Sequence, residues 1–277
     1  MSAAPGVVMS EDRSRLRDGE AVIFIDRKER TYLRILRSGR NVSLRGTPFP
    51  CDSLIGLAEG STIETPHGER LLLLRPTYAQ LIPALPRRAQ PIYPKDLGPI
   101  LAWGDIGPGT LVVEVGIGAG ALTIGLLRAV GPTGRLVSYE LREDFAAAAR
   151  ENVARFHGEA SNWTLRVADA LAGIEERHVD RIVVDLPEPW HLLDTAFTAM
   201  RPGGVMTAFV PTAIQVKNLV DGFRAHGGFG AVETLETLLR NWHVQDRSVR
   251  PVHRMVAHTG FLVFARRLAP GDVVVAP

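Results

Sequence analysis

Leu111-Val112-Val113-Glu114-Val115 runs straight into Gly116, Gly118 and Gly120, and a mostly apolar stretch continues to Val130. Apolar residues at nearly every position of the first segment, rather than at every second one, fit a strand covered on both faces, as in parallel sheets. Glycines at alternate positions permit a tight turn and let the following helix approach the sheet closely. The pattern repeats downstream. Strands are expected at 135–140, 164–168, 181–186 and 204–210, with helices at 142–156, 191–200 and 213–226. A long strand at 231–246 and a final one at 260–267, joined by a polar loop, complete the reading. Strands alternating with helices imply an α/β fold with a parallel sheet covered on both faces.

Upstream the texture differs. Residues 1–18 are polar and aperiodic and read as a loose arm. Short strands are expected at 21–25, 31–36 and 69–74, separated by turn signals such as Ser38-Gly39 and Pro66-His67-Gly68, which predicts a small β-barrel or sandwich-like module. Pro76, Pro83, Pro86, Pro91 and Pro94 then stiffen the chain. The expected division is therefore an arm and small β domain at 1–85 and an α/β domain at 86–277.

The 277 residues can hold such a pair, and no apolar run nears the roughly 18 residues that cross a bilayer. The first ten residues lack the order of a signal peptide, so a cytoplasmic protein is expected, without membrane contact. Cys51 is the sole cysteine, which excludes an intrachain disulfide and a cysteine-based zinc site; no metal is expected. Charge is uneven along the chain. Residues 1–90 carry 14 basic and 10 acidic side chains, residues 91–239 carry 12 and 18, and residues 240–268 carry 6 and 1. Basic ends around an acidic middle fit either a phosphate-binding surface or a solvated face.

Acids placed around the glycine turn narrow its ligand. The spacing is Gly-x-Gly-x-Gly rather than the Gly-x-Gly-x-x-Gly of dinucleotide sites, and neither a Tyr-x-x-x-Lys pair nor a phosphate-loop motif occurs. Glu114 stands two residues before the turn, within reach of a cationic amino group. Glu140 ends the second strand about 20 residues on, where a carboxylate can bind both ribose hydroxyls. Asp169 follows the third strand and can accept from an adenine amino group. A ligand offering an amino group, a ribose and an adenine is S-adenosylmethionine (SAM), the expected cofactor. Gly116, Gly118, Gly120 and the adjoining Ala121 and Leu122 are further expected cofactor contacts.

Asp185-Leu186-Pro187-Glu188-Pro189-Trp190 follows the fourth strand on the same sheet edge. Its prolines stiffen the loop, and an Asp opening a Pro/aromatic loop is of the type used in methylating amino groups and ring nitrogens. A rigid turn with a buried Trp190 is the structural alternative.

Together these residues make the sequence resemble the bacterial and archaeal tRNA (adenine-58-N1)-methyltransferases, nearest to the actinobacterial members. The resemblance is carried by 90–96 (Gln-Pro-Ile-Tyr-Pro-Lys-Asp), 114–123, 138–140, 185–190 and 255–262, and it spans nearly the whole chain. Ala257 departs from it, standing where Gly is common before His-Thr. The resemblance implies a Rossmann-like class I SAM-dependent methyltransferase with a mostly parallel seven-stranded sheet and a small N-terminal β domain. It further implies tRNA as substrate, N1 of adenine 58 as acceptor, and a homotetramer. Asp185 takes the catalytic position and also lies against the cofactor. Tyr93 is a candidate at the target pocket and His258 at the cofactor pocket. Arg87, Arg88, Arg250 and Arg254 are candidates for phosphate contacts, from charge alone. The alternatives are a different methyl acceptor, or a catalytically silent tRNA-binding subunit.

Overall fold

A computed structural model describes residues 14–44, 46–85, 90–255 and 257–271. The chain divides between Ala84 and Leu85 into two compact units. The first contains β1 (Ala21–Ile25), β2 (Thr31–Ile35), β3 (Asn41–Leu44), β4 (Thr47–Pro50), β5 (Thr62–Glu64), β6 (Arg70–Leu74) and the short helix α1 (Tyr78–Leu81). β2-β1-β6-β5 form an antiparallel sheet, and β3 and β4 a separate hairpin. Val22, Phe24, Leu71 and Leu73 share a core with Leu16, Leu36, Val42, Leu44, Cys51 and Leu54. Cys51 is wholly buried there as a small apolar group.

The second unit holds α2 (Pro94–Trp103), β7 (Leu111–Val115), α3 (Ala121–Val130), β8 (Arg135–Glu140), α4 (Glu143–Phe156), β9 (Trp163–Val167), β10 (Val179–Val184), α5 (Leu193–Ala199), β11 (Met200–Val210), α6 (Ala213–His226), β12 (Phe229–Glu236), β13 (Trp242–Gln245), β14 (Ser248–Pro251) and β15 (Phe261–Arg267). Seven strands make one sheet in the order β12-β15-β11-β10-β7-β8-β9, parallel except that β15 runs against both its neighbours. This is the Rossmann-like, mostly parallel seven-stranded sheet that the resemblance implies. Succession passes outward from β7 to β8 and β9 on one side, and then resumes at β10 on the other. The switch point, where open α/β sheets bind ligands, therefore lies at the carboxyl ends of β7 and β10.

Several elements depart from the sequence reading. The single strand expected at 231–246 is two: β12 ends at Glu236, and Trp242–Gln245 pairs only with β14 in a hairpin outside the main sheet. Both halves are rich in β-formers, so local propensity hides the break. The helix expected from His191 begins at Leu193, after a 3-10 turn at Pro189–Leu192, and Met200 already belongs to β11. The helix α2 occupies the end of the proline-rich stretch, because Pro94 at a helix's first position loses no bond there. The fourth strand stops at Val184 rather than Leu186, which leaves Asp185 outside the ladder.

Among the described residues no helix is long and apolar enough to cross a membrane, and no cluster of His, Cys, Asp or Glu is arranged to hold a metal ion.

Candidate active site

Three strand ends meet at the glycine turn. The backbone N–H of Asp185 donates to the carbonyl of Val115 at 2.9 Å, and that of Gly116 donates to the carbonyl of Tyr139 at 3.0 Å. Gly116 has φ +85°, and a Cβ there would lie 2.3 Å from the carbonyl oxygen of Asp185. Only glycine allows both the backbone angle and the approach. Gly120, at φ +78°, caps α3, and a Cβ on it would meet Ala149 of α4 at 3.3 Å, so it sets how closely the two helices pack.

A cavity of about 560 Å³ opens on this turn, a volume suited to a ligand of SAM's size. On one side Glu140, Leu141, Asp169 and Leu171 line it from the ends of β8 and β9, with Phe145 of α4; on the other stand Asp185, Leu186, Pro187 and Pro211 from the ends of β10 and β11, with Gln215 of α6. Gly116 and Gly118 lie between, and Gln90 adds to the wall. Glu140 accepts from the Arg142 N–H at 3.0 Å and Asp169 from the Leu171 N–H at 2.8 Å, each through one oxygen, leaving a second without a described donor. Two such carboxylates beside apolar walls suit a ribose diol and an adenine amino group. A turn that bares its backbone suits the rest of the cofactor. The residues present therefore fit SAM.

Asp185 is half-buried, and no described residue donates a hydrogen bond to its carboxylate. Burial pushes its carboxyl up to about 7. Glu114 behaves otherwise. It is fully buried and does not line the cavity. The Ser138 hydroxyl donates to it at 2.5 Å and the Thr123 hydroxyl at 2.9 Å, while Trp163 Nε1 donates to Ser138 at 3.0 Å. Burial above all, with the Asp185 and Glu140 charges adding, raises its carboxyl to about 8. It ties β7, β8 and α3 together beneath the turn.

Two of the motifs that carry the resemblance prove to be one brace. Asp96, fully buried, accepts from Lys95 Nζ and from the Thr259 hydroxyl, each at 2.7 Å, and Lys95 also donates to the Thr237 carbonyl at 2.7 Å. The ring of His258 sits between Glu236 Oε1 at 2.7 Å and the Pro211 carbonyl at 2.8 Å. Its hydrogen bond to Glu236 raises its pKa. His258 therefore supports the cavity wall at Pro211 without lining it. Tyr93 also stands outside the wall, its hydroxyl accepting from Gln90 Nε2 at 2.6 Å. Gly120, Ala121 and Leu122 lie behind the turn rather than on the cavity. Of the sequence candidates, the cavity thus gathers Gly116, Gly118, Glu140, Asp169 and Asp185.

Gln90 and Gln215 also line the cavity; sequence reading marks Gln90 only as the first residue of the 90–96 motif, without a role, and does not mark Gln215. A signal existed for the second: Thr212-x-x-Gln215 has the capping-box spacing that opens a helix.

Gly116→Ala and Gly118→Ala separate the two glycines. At Gly116 the added methyl meets backbone, whereas at Gly118, with φ +52°, it meets open space. Isothermal titration calorimetry should find SAM affinity lowered about 100-fold or more for Gly116→Ala, and for Gly118→Ala by no more than the roughly 1–2 kcal/mol of left-handed strain, which is about 30-fold at most.

A family model described as "tRNA methyltransferase complex GCD14 subunit" matches residues 71–250, and one described as "TrmI-like N-terminal" matches residues 15–63. The tRNA (adenine(58)-N(1))-methyltransferase of Thermus thermophilus is 35% identical over 89% of this chain and 96% of its own. A Methanocaldococcus jannaschii relative, named for adenines 57 and 58, is 31% identical over 88% of this chain and 94% of its own. Among solved structures, a Thermotoga maritima protein described as a SAM-dependent O-methyltransferase superposes with TM-score 0.89 at 29% identity, covering 95% of this chain and 98% of its own. The tRNA (m1A58) methyltransferase of Aquifex aeolicus superposes with TM-score 0.80 at 29% identity, covering 92% and 99%. The chain belongs to the tRNA (adenine-58-N1)-methyltransferase family.

Proposed function

We propose that this chain transfers the methyl group of SAM to N1 of adenine 58 in the T loop of tRNA, in the cytoplasm. The observation that carries the reading is Asp185, a cavity-lining carboxylate without a described donor, fixed by backbone contacts to the glycine turn.

SAM, when bound, supplies a methyl group on a positively charged sulfur. Glu140 binds the ribose hydroxyls, Asp169 the adenine amino group, and Gly116 and Gly118 present backbone to the methionine portion. Glu114, with Gly120, Ala121 and Leu122, acts from beneath by holding the turn in shape. Asp185 accepts a hydrogen bond from the 6-amino group of the target adenine. It thereby aims N1, whose own lone pair attacks, and stabilises the positive charge that grows on the purine. No base is needed first. Tyr93 and Gln90 border the acceptor side, where the target base, turned out of the folded tRNA, enters. Arg250 and Arg254 are exposed and available to phosphates; Arg87 and Arg88 lie outside the described residues.

The homotetramer implied by the family has support in the β13–β14 hairpin. Trp242, Val244 and Val249 are 60%, 71% and 59% exposed. Register places them with Pro251 on one face, and His243 and Arg250 on the other. An apolar face of this kind is suited to burial against another copy. Native mass spectrometry of Val244→Asp should show the tetramer lost; a tetramer retained would remove the hairpin from the interface.

Labelled SAM and an unmodified tRNA transcript test the reaction: 1-methyladenosine should form at position 58, and label in any other nucleoside or in none overturns the reading. Asp185 must be ionised to stabilise the positive charge that grows on the purine, and its pKa is raised to about 7. Thus kcat/KM should rise as pH passes about 7 and fall away below it. Asp185→Asn should keep SAM affinity, lose about 100-fold or more in kcat, and lose this inflection.

A further inference from the structure

Beyond the residues that touch substrate or cofactor, α6 grips the loop that carries Asp185. The Gln215 side chain is held twice. Its Oε1 accepts from the Thr212 hydroxyl at 2.6 Å, and its Nε2 donates to the carbonyl of Pro187 at 2.8 Å. Thr212 is itself the N-cap of α6, its oxygen accepting from the Gln215 backbone N–H at 3.3 Å. The cap therefore fixes the carboxamide's rotamer, and the carboxamide fixes the loop. Two turns further along α6, Gly222 meets the far end of the same loop: a Cβ there would lie 3.2 Å from Trp190 Cβ and from Leu193 Cδ1. The loop is thus held at Pro187 and at Trp190, on either side of Glu188. Its other end, Asp185, is fixed by the Val115 carbonyl.

A carboxylate that aims a base must be placed to within a fraction of an ångström, and a shift of about 1 Å can cost on the order of 100-fold in rate. Asp185 has no hydrogen bond from a described residue, so its placement falls to the backbone of its loop. Pro187 is exposed and lies two residues on. A proline there cannot donate to the sheet, and its carbonyl is the group available to anchor the turn.

We infer that Gln215, gripped by Thr212, is a positioning residue that clamps the Asp185–Trp190 loop in its catalytic conformation. The inference rests on the assignment of Asp185 to the acceptor base. Gln215 does not touch the reacting atoms; it acts through Pro187. Its loss slows transfer while leaving the cofactor half of the cavity, formed by Glu140 and Asp169, intact.

Gln215→Glu tests this with little change of shape. It keeps the oxygen that takes the Thr212 hydroxyl and removes the N–H that holds Pro187. Expected are SAM affinity within about twofold of wild type by calorimetry and kcat on unmodified tRNA lowered about tenfold or more, the factor that corresponds to one lost bond of about 1.4 kcal/mol. In protein labelled with 5-fluorotryptophan, the fluorine resonance of Trp190, assigned by Trp190→Phe, should broaden or shift. Gln215→Met should behave alike, and serves as the second variant if Gln215→Glu folds poorly. Unchanged kcat with an unmoved Trp190 resonance overturns the clamp. So does a loss of SAM affinity equal to the loss of kcat, which would make Gln215 a general structural residue. Asp185→Asn measured in parallel separates the two failures. If it retains full turnover, the catalytic reading of Asp185 falls. If it is inactive while both Gln215 variants are unaffected, only the clamp falls.

Discussion

The site depends on one close contact, that of Gly116 with the carbonyl of Asp185. β7 and β10 pair in parallel with Val115 opposite Val184, so both chains leave the sheet at the same level. A hydrogen bond from the Asp185 N–H to Val115 then holds the two departing loops side by side. Any side chain at position 116 would force them apart. The turn suited to the methyl donor and the carboxylate suited to the acceptor are therefore one structure. Their separation is set by backbone, which tolerates less drift than flexible side chains.

Electrostatics follow from the same arrangement. Glu114, Glu140 and Asp185 converge at the strand ends, and burial lifts Glu114 and Asp185 far above ordinary carboxylate values. Gathering like charges in a partly apolar place is unfavourable for the empty protein. It favours a cationic ligand and a reaction that leaves positive charge on its product. A sulfonium donor and a methylated adenine both answer that description. Glu114 contributes from beneath, where its hydrogen bonds with Ser138 and Thr123 stiffen the turn.

Much of this was legible in sequence because it is local. β7, β8 and α6 occupy the spans that their apolar patterns predict. Glycine spacing and acids at strand ends mark Gly116, Gly118, Glu140, Asp169 and Asp185, all of which line one cavity. What sequence did not disclose is long-range. Nothing local ties Asp96 to Thr259, or Lys95 to Thr237, although those bonds join the two motifs. Glu114 was read by its distance from the turn, but alternation along β7 turns its side chain into the interior toward Ser138 and Thr123. The break between β12 and β13 was hidden because strand propensity runs through it. Gln215 stands in the first turn of α6, and only the fold brings Pro187 to it.

Donor and acceptor are expected to share one cavity, at the ends of β7 and β10. A crystal structure with S-adenosylhomocysteine tests it most directly. The ribose hydroxyls should lie on the Glu140 carboxylate, the adenine beside Asp169, and the sulfur on the Asp185 side of the glycine turn. A ligand bound away from Gly116 and Glu140, or one whose sulfur points away from Asp185, would contradict it.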